Sequence, residues 1–135
     1  MSVDILADDL HFGEGPRWHQ GKLWFSDFYD YAVKTVDLEG TVATKLTVDG
    51  QPSGLGWMPD GRMLVVSMTD RMLLRLEHDA LVVHADLSEI ATFHCNDMVV
   101  DTAGRAYVGN FGFDLDAAVT SGDFAGALAA HEGAA

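Results

Sequence analysis

Cysteine is nearly absent from this sequence: Cys95 is the one cysteine among 135 residues. A single cysteine excludes an intramolecular disulfide and a zinc site built from several thiolates. No apolar run approaches the roughly 18 residues that a membrane-spanning helix needs. The first ten residues, MSVDILADDL, are acidic and lack the charged-then-apolar layout of a secretory signal. We therefore expect a soluble, cytoplasmic protein without a membrane partner.

Basic residues are also scarce, with eight Lys and Arg against 21 Asp and Glu, for a net charge of −13. Such a surface repels phosphate backbones, so the charge balance predicts no nucleic-acid partner. The acidity concentrates cations near the protein, but by itself it does not make a metal site. Apolar residues are 48% of the chain, enough for one compact domain with a core.

Three blocks of the sequence repeat one pattern: EGPRWHQGKLWFSD, SGLGWMPDGRMLVVSM and NDMVVDTAGRAYVGNF. Each has a short apolar segment, a turn that ends in Gly and a basic residue, and a second apolar segment. The Gly-basic pairs, at Gly21-Lys22, Gly61-Arg62 and Gly104-Arg105, follow one another after 40 and then 43 residues. A period in the low forties that is filled with strands is typical of propeller blades.

The segments that follow the first two blocks also favour strands. YAVKTVDL and TVATKLTV are rich in β-branched residues. RMLLRLE contains good helix formers. It is short, however, and it occupies the position of YAVKTVDL one repeat earlier, so we predict a strand there. The sequence therefore predicts an all-β fold of propeller blades.

The pattern stops after Phe113. Residues 115–135 are rich in Ala and Gly, and the i, i+4 spacing of Phe124 and Leu128 leaves a short helix and a loose tail equally open. We expect residues 1–114 to form about two and a half blades of a propeller, with 115–135 as a separate tail. Known propellers have at least four blades. We expect a piece of a longer protein, the alternative being self-association through open blade edges.

The stretches GEGPRW…LWFSD and CNDMVVDTAGRAYVGNFGFD resemble the gluconolactonase, regucalcin (senescence marker protein) and luciferin-regenerating enzyme family, over roughly residues 10–116. The resemblance implies a six-bladed propeller that holds one divalent cation in its central channel: calcium, zinc, magnesium or manganese. It also implies a lactone substrate, since members hydrolyse lactones, mostly of sugars, and some cleave other cyclic esters or phosphotriesters.

The resemblance assigns roles to three residues. Glu14 matches the metal-ligating glutamate of the family's G-E-[SG]-P-x-W stretch. Asn96 matches the asparagine of its N-D-x-x-x-D-x-x-G stretch, beside the metal and in contact with substrate. His94 stands where some members carry a substrate-binding arginine. The family's other ligands, an asparagine and an aspartate that is also the catalytic base, belong to later blades, and nothing after Gly109 matches them. We therefore assign no catalytic residue and expect an incomplete catalyst.

Taken alone, each of these features has a simpler explanation. A glutamate between two glycines is usually a solvated turn residue, although flanking glycines also let the backbone approach a channel axis. Asn96-Asp97 alone would open a turn, and we expect Asp97 and Asp101 to bond turn amides. Cys95 is expected to be a small buried hydrophobe rather than a nucleophile.

Two functions from different classes stay open. The first is the N-terminal portion of a divalent-metal-dependent lactonase that acts on sugar lactones or related cyclic esters. The second is a non-catalytic propeller fragment that binds a cation or another protein, because a fold does not dictate a function.

Overall fold

The structure is a computed structural model that describes residues 1–132. Its ten strands form three antiparallel sheets, each in chain order. The first sheet contains β1 (Gly13–His19), β2 (Lys22–Asp27), β3 (Ala32–Val36) and β4 (Val42–Thr47). The second contains β5 (Pro52–Trp57), β6 (Met63–Ser67), β7 (Met72–Glu77) and β8 (Ala80–Asp86). The third pairs β9 (Cys95–Val100) with β10 (Ala106–Asn110). The prediction of two complete blades and a partial third is confirmed.

The segment RMLLRLE forms a strand, β7, as the repeat predicted and against the helix propensity of its residues. It pairs with β6 on one side and β8 on the other. Tertiary pairing therefore overrides the local preference, because the blade leaves this segment between two other strands.

The Gly-basic pairs of the repeat are the hairpin turns between the first two strands of each sheet. Gly21, Gly61 and Gly104 have φ values of 76°, 89° and 82°, which lie in the left-handed region that favours glycine. Around Gly21 and Gly61 an added Cβ would meet nothing within 4 Å. At those two turns the backbone angle, rather than lack of space, requires glycine.

Each sheet has a bulge at the same place in its first strand. One residue more is present there than on the facing strand, between Glu14 and Arg17, Pro52 and Leu55, and Cys95 and Met98. A bulge bends its strand and changes the direction of nearby side chains. Two of the residues expected to bind ligands, Glu14 and Asn96, lie at the bulges of β1 and β9, and His94 comes just before β9.

The first strands of the three sheets lie side by side, because glycines let them come close. A Cβ on Gly15 would be 2.9 Å from the Ser53 carbonyl oxygen, and one on Gly54 would be 2.4 Å from the Met98 nitrogen. Both distances are too short for a side chain. Strand β5 therefore lies between β1 and β9, and its backbone is in contact with both.

The hydrophobic core lies between the sheets rather than inside any one of them. The buried cluster between the first and second sheets consists of Val33, Val48, Leu55, Met63 and Val65. The cluster between the second and third consists of Leu64, Val66, Leu73, Ala91, Cys95 and Met98. Strand β6 supplies alternate residues to both clusters, as a strand that is covered on both faces must.

Cys95 is 1% exposed and belongs to the second cluster. Burial raises the pKa of its thiol, and the positive charge of Arg71 opposes that rise. A thiol with a raised pKa is a poor nucleophile. The expected packing role of Cys95 is confirmed.

Two short helices follow β10: α1 (Leu115–Ser121) and α2 (Phe124–Glu132). The Asp114 side chain caps α1 by accepting the Ala117 N–H at 2.8 Å. The rings of Phe113 and Phe124 meet edge to face, 6.1 Å apart. No helix among residues 1–132 is long and apolar enough to cross a membrane.

Candidate functional site

A cleft of about 470 Å³ opens where the first strands of the three sheets converge. All three residues singled out by the sequence, Glu14, His94 and Asn96, line it. Its other lining residues are Phe12, Phe28, Tyr29, Gln51, Met68, Phe93, Phe111, Leu115 and Asp116. The structure therefore brings together residues that are separated by about eighty positions in the chain.

Glu14 occupies the bulge of β1, opposite Ser26 of β2. Its Oε1 atom is buried and has no hydrogen-bond partner among the described residues. Burial raises the pKa of the Glu14 carboxyl, the Ser53 hydroxyl beside it acts in the opposite direction, and the charge of Asp97 raises it further. A buried carboxylate oxygen without a partner is costly, and a cation would remove that cost.

Asn96 is held by a chain of hydroxyl groups that crosses the sheets. Ser26 Oγ donates to the Ser53 carbonyl oxygen at 2.6 Å, and Ser53 Oγ donates to Asn96 Oδ1 at 3.1 Å. Ser53 was not singled out from the sequence. Its position in the second repeat, beside the glycine of SGLGW, is the signal that could have identified it.

His94 lies just before β9, at the edge of the cleft. Its ring stacks on that of Phe93, with 4.0 Å between centroids and an angle of 22°. Its backbone oxygen accepts the Phe111 N–H at 3.0 Å. Contacts with Phe93 and Phe111 therefore fix the position of His94.

Arg17 links the first blade to the third. Its guanidinium donates to Asp97 Oδ1 at 2.7 Å and to the Met98 carbonyl oxygen at 2.6 Å. Asp97 Oδ1 also accepts the Met98 N–H at 2.8 Å. Asp101 accepts the N–H groups of Ala103 and Arg105, both at 2.9 Å. The expected bonding to turn amides is confirmed for Asp101. Asp97 instead bonds an amide within β9 and pairs with Arg17, which was not predicted.

A second group of possible ligands, His11, Asp27 and Asp30, lies at the rim, with atoms within 4.8 Å of one another. The Lys34 ammonium already satisfies this group, at 2.7 Å from Asp27 Oδ2 and 2.6 Å from Asp30 Oδ2. Burial raises the pKa of Asp27, but bonds from Lys34 and from the Phe12 and His11 amides outweigh it and hold the pKa below its usual value. We therefore assign no metal to this cluster.

The cleft offers oxygen ligands of the kind that hard divalent cations prefer. Glu14 supplies a carboxylate with one unpartnered oxygen, and Asn96 supplies an amide oxygen whose second lone pair is available. Two protein oxygens do not complete the coordination of calcium, which takes six to eight oxygen ligands. The described residues thus fit a cation but supply only part of its shell.

Fold and cleft together define a partial β-propeller with a carboxylate-bearing site where its inner strands meet. Residues 12–134 match the family model described as the SMP-30/gluconolactonase/LRE-like region. The chain therefore belongs to the SMP-30/gluconolactonase/LRE-like family, and the resemblance found in the sequence is confirmed. A search of curated proteins gives no significant match.

The solved structures that share this fold include a gluconolactonase and a regucalcin. A gluconolactonase from Xanthomonas campestris is 24% identical, with a TM-score of 0.65 over 76% of this chain and 36% of that one. A calcium-binding regucalcin from Agrobacterium tumefaciens is 20% identical, with a TM-score of 0.60 over 74% of this chain and 39% of that one. This chain therefore spans under two-fifths of the length of either structure.

Proposed function

We propose that this chain is the N-terminal portion of a divalent-cation-dependent lactonase. The observation that carries the proposal is Glu14 Oε1, a buried and unpartnered carboxylate oxygen in a cleft that also contains Asn96. When bound, the cation supplies Lewis acidity toward the carbonyl group of a cyclic ester. Family membership supports lactones as the substrate class, and the gluconolactonase and regucalcin structures support this choice of chemistry.

The chain's own residues have separate tasks in this proposal. Glu14 binds the cation. Asn96, whose Oδ1 accepts the Ser53 hydroxyl, also has an amide N–H group that can donate to a substrate oxygen. His94, fixed by its stacking on Phe93, orients the substrate at the rim. We assign the catalytic base to no residue of this chain, and we expect slow turnover by the chain alone.

Calcium is the cation that we favour, with zinc, magnesium and manganese as the alternatives. Carboxylate and amide oxygens suit a hard cation, whereas zinc sites usually include nitrogen or sulfur ligands. We also propose a cytoplasmic location, with which a free thiol is compatible.

Calorimetric titration of the full 135-residue chain with each of the four cations tests the proposal. We expect binding that Glu14→Gln reduces by about tenfold or more, because the charged ligand is lost. Glu39→Gln is the matched control, since it removes the same charge from an exposed turn. Equal affinity in Glu14→Gln and the unaltered protein would contradict the proposal.

A non-catalytic cation-binding fragment is the second candidate, favoured by the fact that the cleft supplies cation ligands but no assigned base. Hydrolysis of two lactones, glucono-δ-lactone and the benzo-fused dihydrocoumarin, separates the two. Turnover of either lactone that rises with calcium and disappears in Glu14→Gln supports the lactonase. Calcium binding with no turnover of either lactone above the spontaneous rate supports the second candidate.

A further inference from the structure

Aromatic side chains form one wall of the cleft. Phe12 precedes β1, while Phe28 and Tyr29 follow β2 in a single turn of 3-10 helix. Their rings meet edge to face, at 5.8 Å between Phe12 and Tyr29 and 4.6 Å between Phe28 and Tyr29. Phe12 is 52% exposed and Tyr29 60% exposed. This wall therefore presents an apolar, aromatic surface to a ligand in the cleft.

The third sheet supplies a second aromatic group. Phe93 and Phe111 line the same cleft, and the ring of Phe93 is already stacked on His94. The Phe111 N–H donates to the His94 carbonyl oxygen, so this bond joins the segment before β9 to the residue after β10. Glu14 and Asn96 share the cleft with both groups.

The charged side chains in and near the cleft also limit the kind of ligand that it can bind. Among the described residues that line the cleft none is Lys or Arg, while Glu14 and Asp116 are acidic. Two cations in the neighbourhood have partners, Lys34 on Asp27 and Asp30, and Arg17 on Asp97. A calcium ion on Glu14 would offset this acidity, but the described lining residues offer no Lys or Arg side chain that could recognise a phosphate or carboxylate group on the substrate.

We propose that the cleft selects an uncharged lactone that carries or is fused to an apolar ring, in preference to a polyhydroxylated sugar lactone. The proposal rests on the proposed lactonase function and adds the substrate class to it. Each sugar hydroxyl that loses water needs a new hydrogen-bond partner to offset the loss. Five charged or amide and imidazole side chains line the cleft, one of them the proposed cation ligand, against seven aromatic or aliphatic ones. A flat apolar ring needs only the aromatic faces that the cleft provides, with stacking as a further gain.

Ligand-observed NMR with the full chain and saturating calcium tests this selectivity. The probes are two lactams that resist hydrolysis: dihydroquinolinone, which is benzo-fused and uncharged, and gluconolactam. We expect dihydroquinolinone to bind at least about tenfold more tightly. Tyr29→Leu should weaken it by roughly three- to tenfold, the range expected for one aromatic contact. Tyr107→Leu, which removes a similarly exposed tyrosine outside the cleft, should leave it unchanged.

Gluconolactam binding as tightly as dihydroquinolinone, or more tightly, would overturn the inference. So would an equal loss in Tyr29→Leu and Tyr107→Leu, or failure of both lactams to bind. A calcium titration of the same samples keeps the two proposals apart. Glu14-dependent calcium binding without the expected preference between the lactams would refute the substrate class and leave the cation site intact.

Discussion

At the scale of single residues, the site depends on a carboxylate held in an unfavourable environment. Glu14 is half-buried with an unpartnered oxygen, and its pKa is raised chiefly by burial. A raised carboxyl pKa means that the folded chain binds the proton more tightly than the unfolded chain. The unfavourable contribution is therefore absent at low pH and develops as the pH rises through the folded pKa. A cation bound at Glu14 would turn this unfavourable contribution to stability into a favourable one.

Asp27 is the opposite case, a carboxylate that the fold fully satisfies. Its side chain is 0% exposed, pairs with Lys34 and accepts two backbone amides. The lowered pKa of Asp27 means that the pair stabilises the fold above the ordinary value of 3.8, and that this stability is lost as the pH falls through the lower folded value. Asp27 thus joins the end of β2 to the backbone of His11 and Phe12, just before β1.

Replacing Lys34 with Met should destabilise the chain by about 3 kcal/mol at neutral pH, because the substitution leaves a buried carboxylate without its cation. Urea unfolding measures the change. Lys45→Met, at an exposed position on β4, is the control and should stay within about 0.5 kcal/mol. The difference between Lys34→Met and the unaltered chain should shrink below pH 3.8 as Asp27 takes up a proton. A difference independent of pH would contradict this role for the pair.

At the scale of strands and turns, much of the fold could be predicted because the chain repeats. Adjacent residues mark each Gly-basic turn, and the repeat of 40 and 43 residues predicted the strand at RMLLRLE against its local helix propensity. The hydroxyl bond from Ser53 to Asn96 and the ion pair from Arg17 to Asp97 join residues 43 and 80 positions apart. Such contacts depend on how the blades pack, which no single segment encodes.

The same packing makes Gly54 of β5 sensitive to substitution. Gly54→Ala would place a Cβ 2.4 Å from the Met98 nitrogen, a backbone atom that cannot move without shifting β9. We expect a loss of roughly 3 kcal/mol in urea unfolding.

Gly109→Ala is the matched control for Gly54→Ala. It lies on β10, where the nearest atom to an added Cβ would be the Asp97 carbonyl oxygen at 3.7 Å, an ordinary contact. Its stability should change by less than about 1 kcal/mol. Equal stability of the two variants would show that β5 and β9 are not packed at backbone distance.

At the scale of the whole molecule, both ends of the blade array expose apolar residues. Val99 and Tyr107 are cross-strand partners in the third sheet and are 57% and 54% exposed, and Trp18 of β1 is 60% exposed.

The resemblance correctly indicated the family and the blades, since its motifs lie in both inner strands of the site. The aromatic lining of the cleft could not be predicted, because no motif marks it.

The uncovered face of the third sheet predicts weak self-association, by a different surface from the open blade edges that the sequence left as an alternative. In sedimentation velocity, we expect the average sedimentation coefficient of the 135-residue chain to rise with concentration. Val99→Lys should suppress the rise by placing a charge in the contact. Val83→Lys, on β8 at a similar exposure of 56%, should not. A monomer at every concentration would exclude the contact.

A divalent cation on Glu14 is tested most directly by an NMR pH titration of the Glu14 side-chain carboxyl carbon with and without calcium. Without calcium, the titration midpoint should lie above the ordinary value of 4.5, because burial disfavours the charged form. With saturating calcium, the midpoint should fall below that value, because the cation favours the carboxylate. An ordinary midpoint that calcium leaves unmoved would show that Glu14 holds no cation.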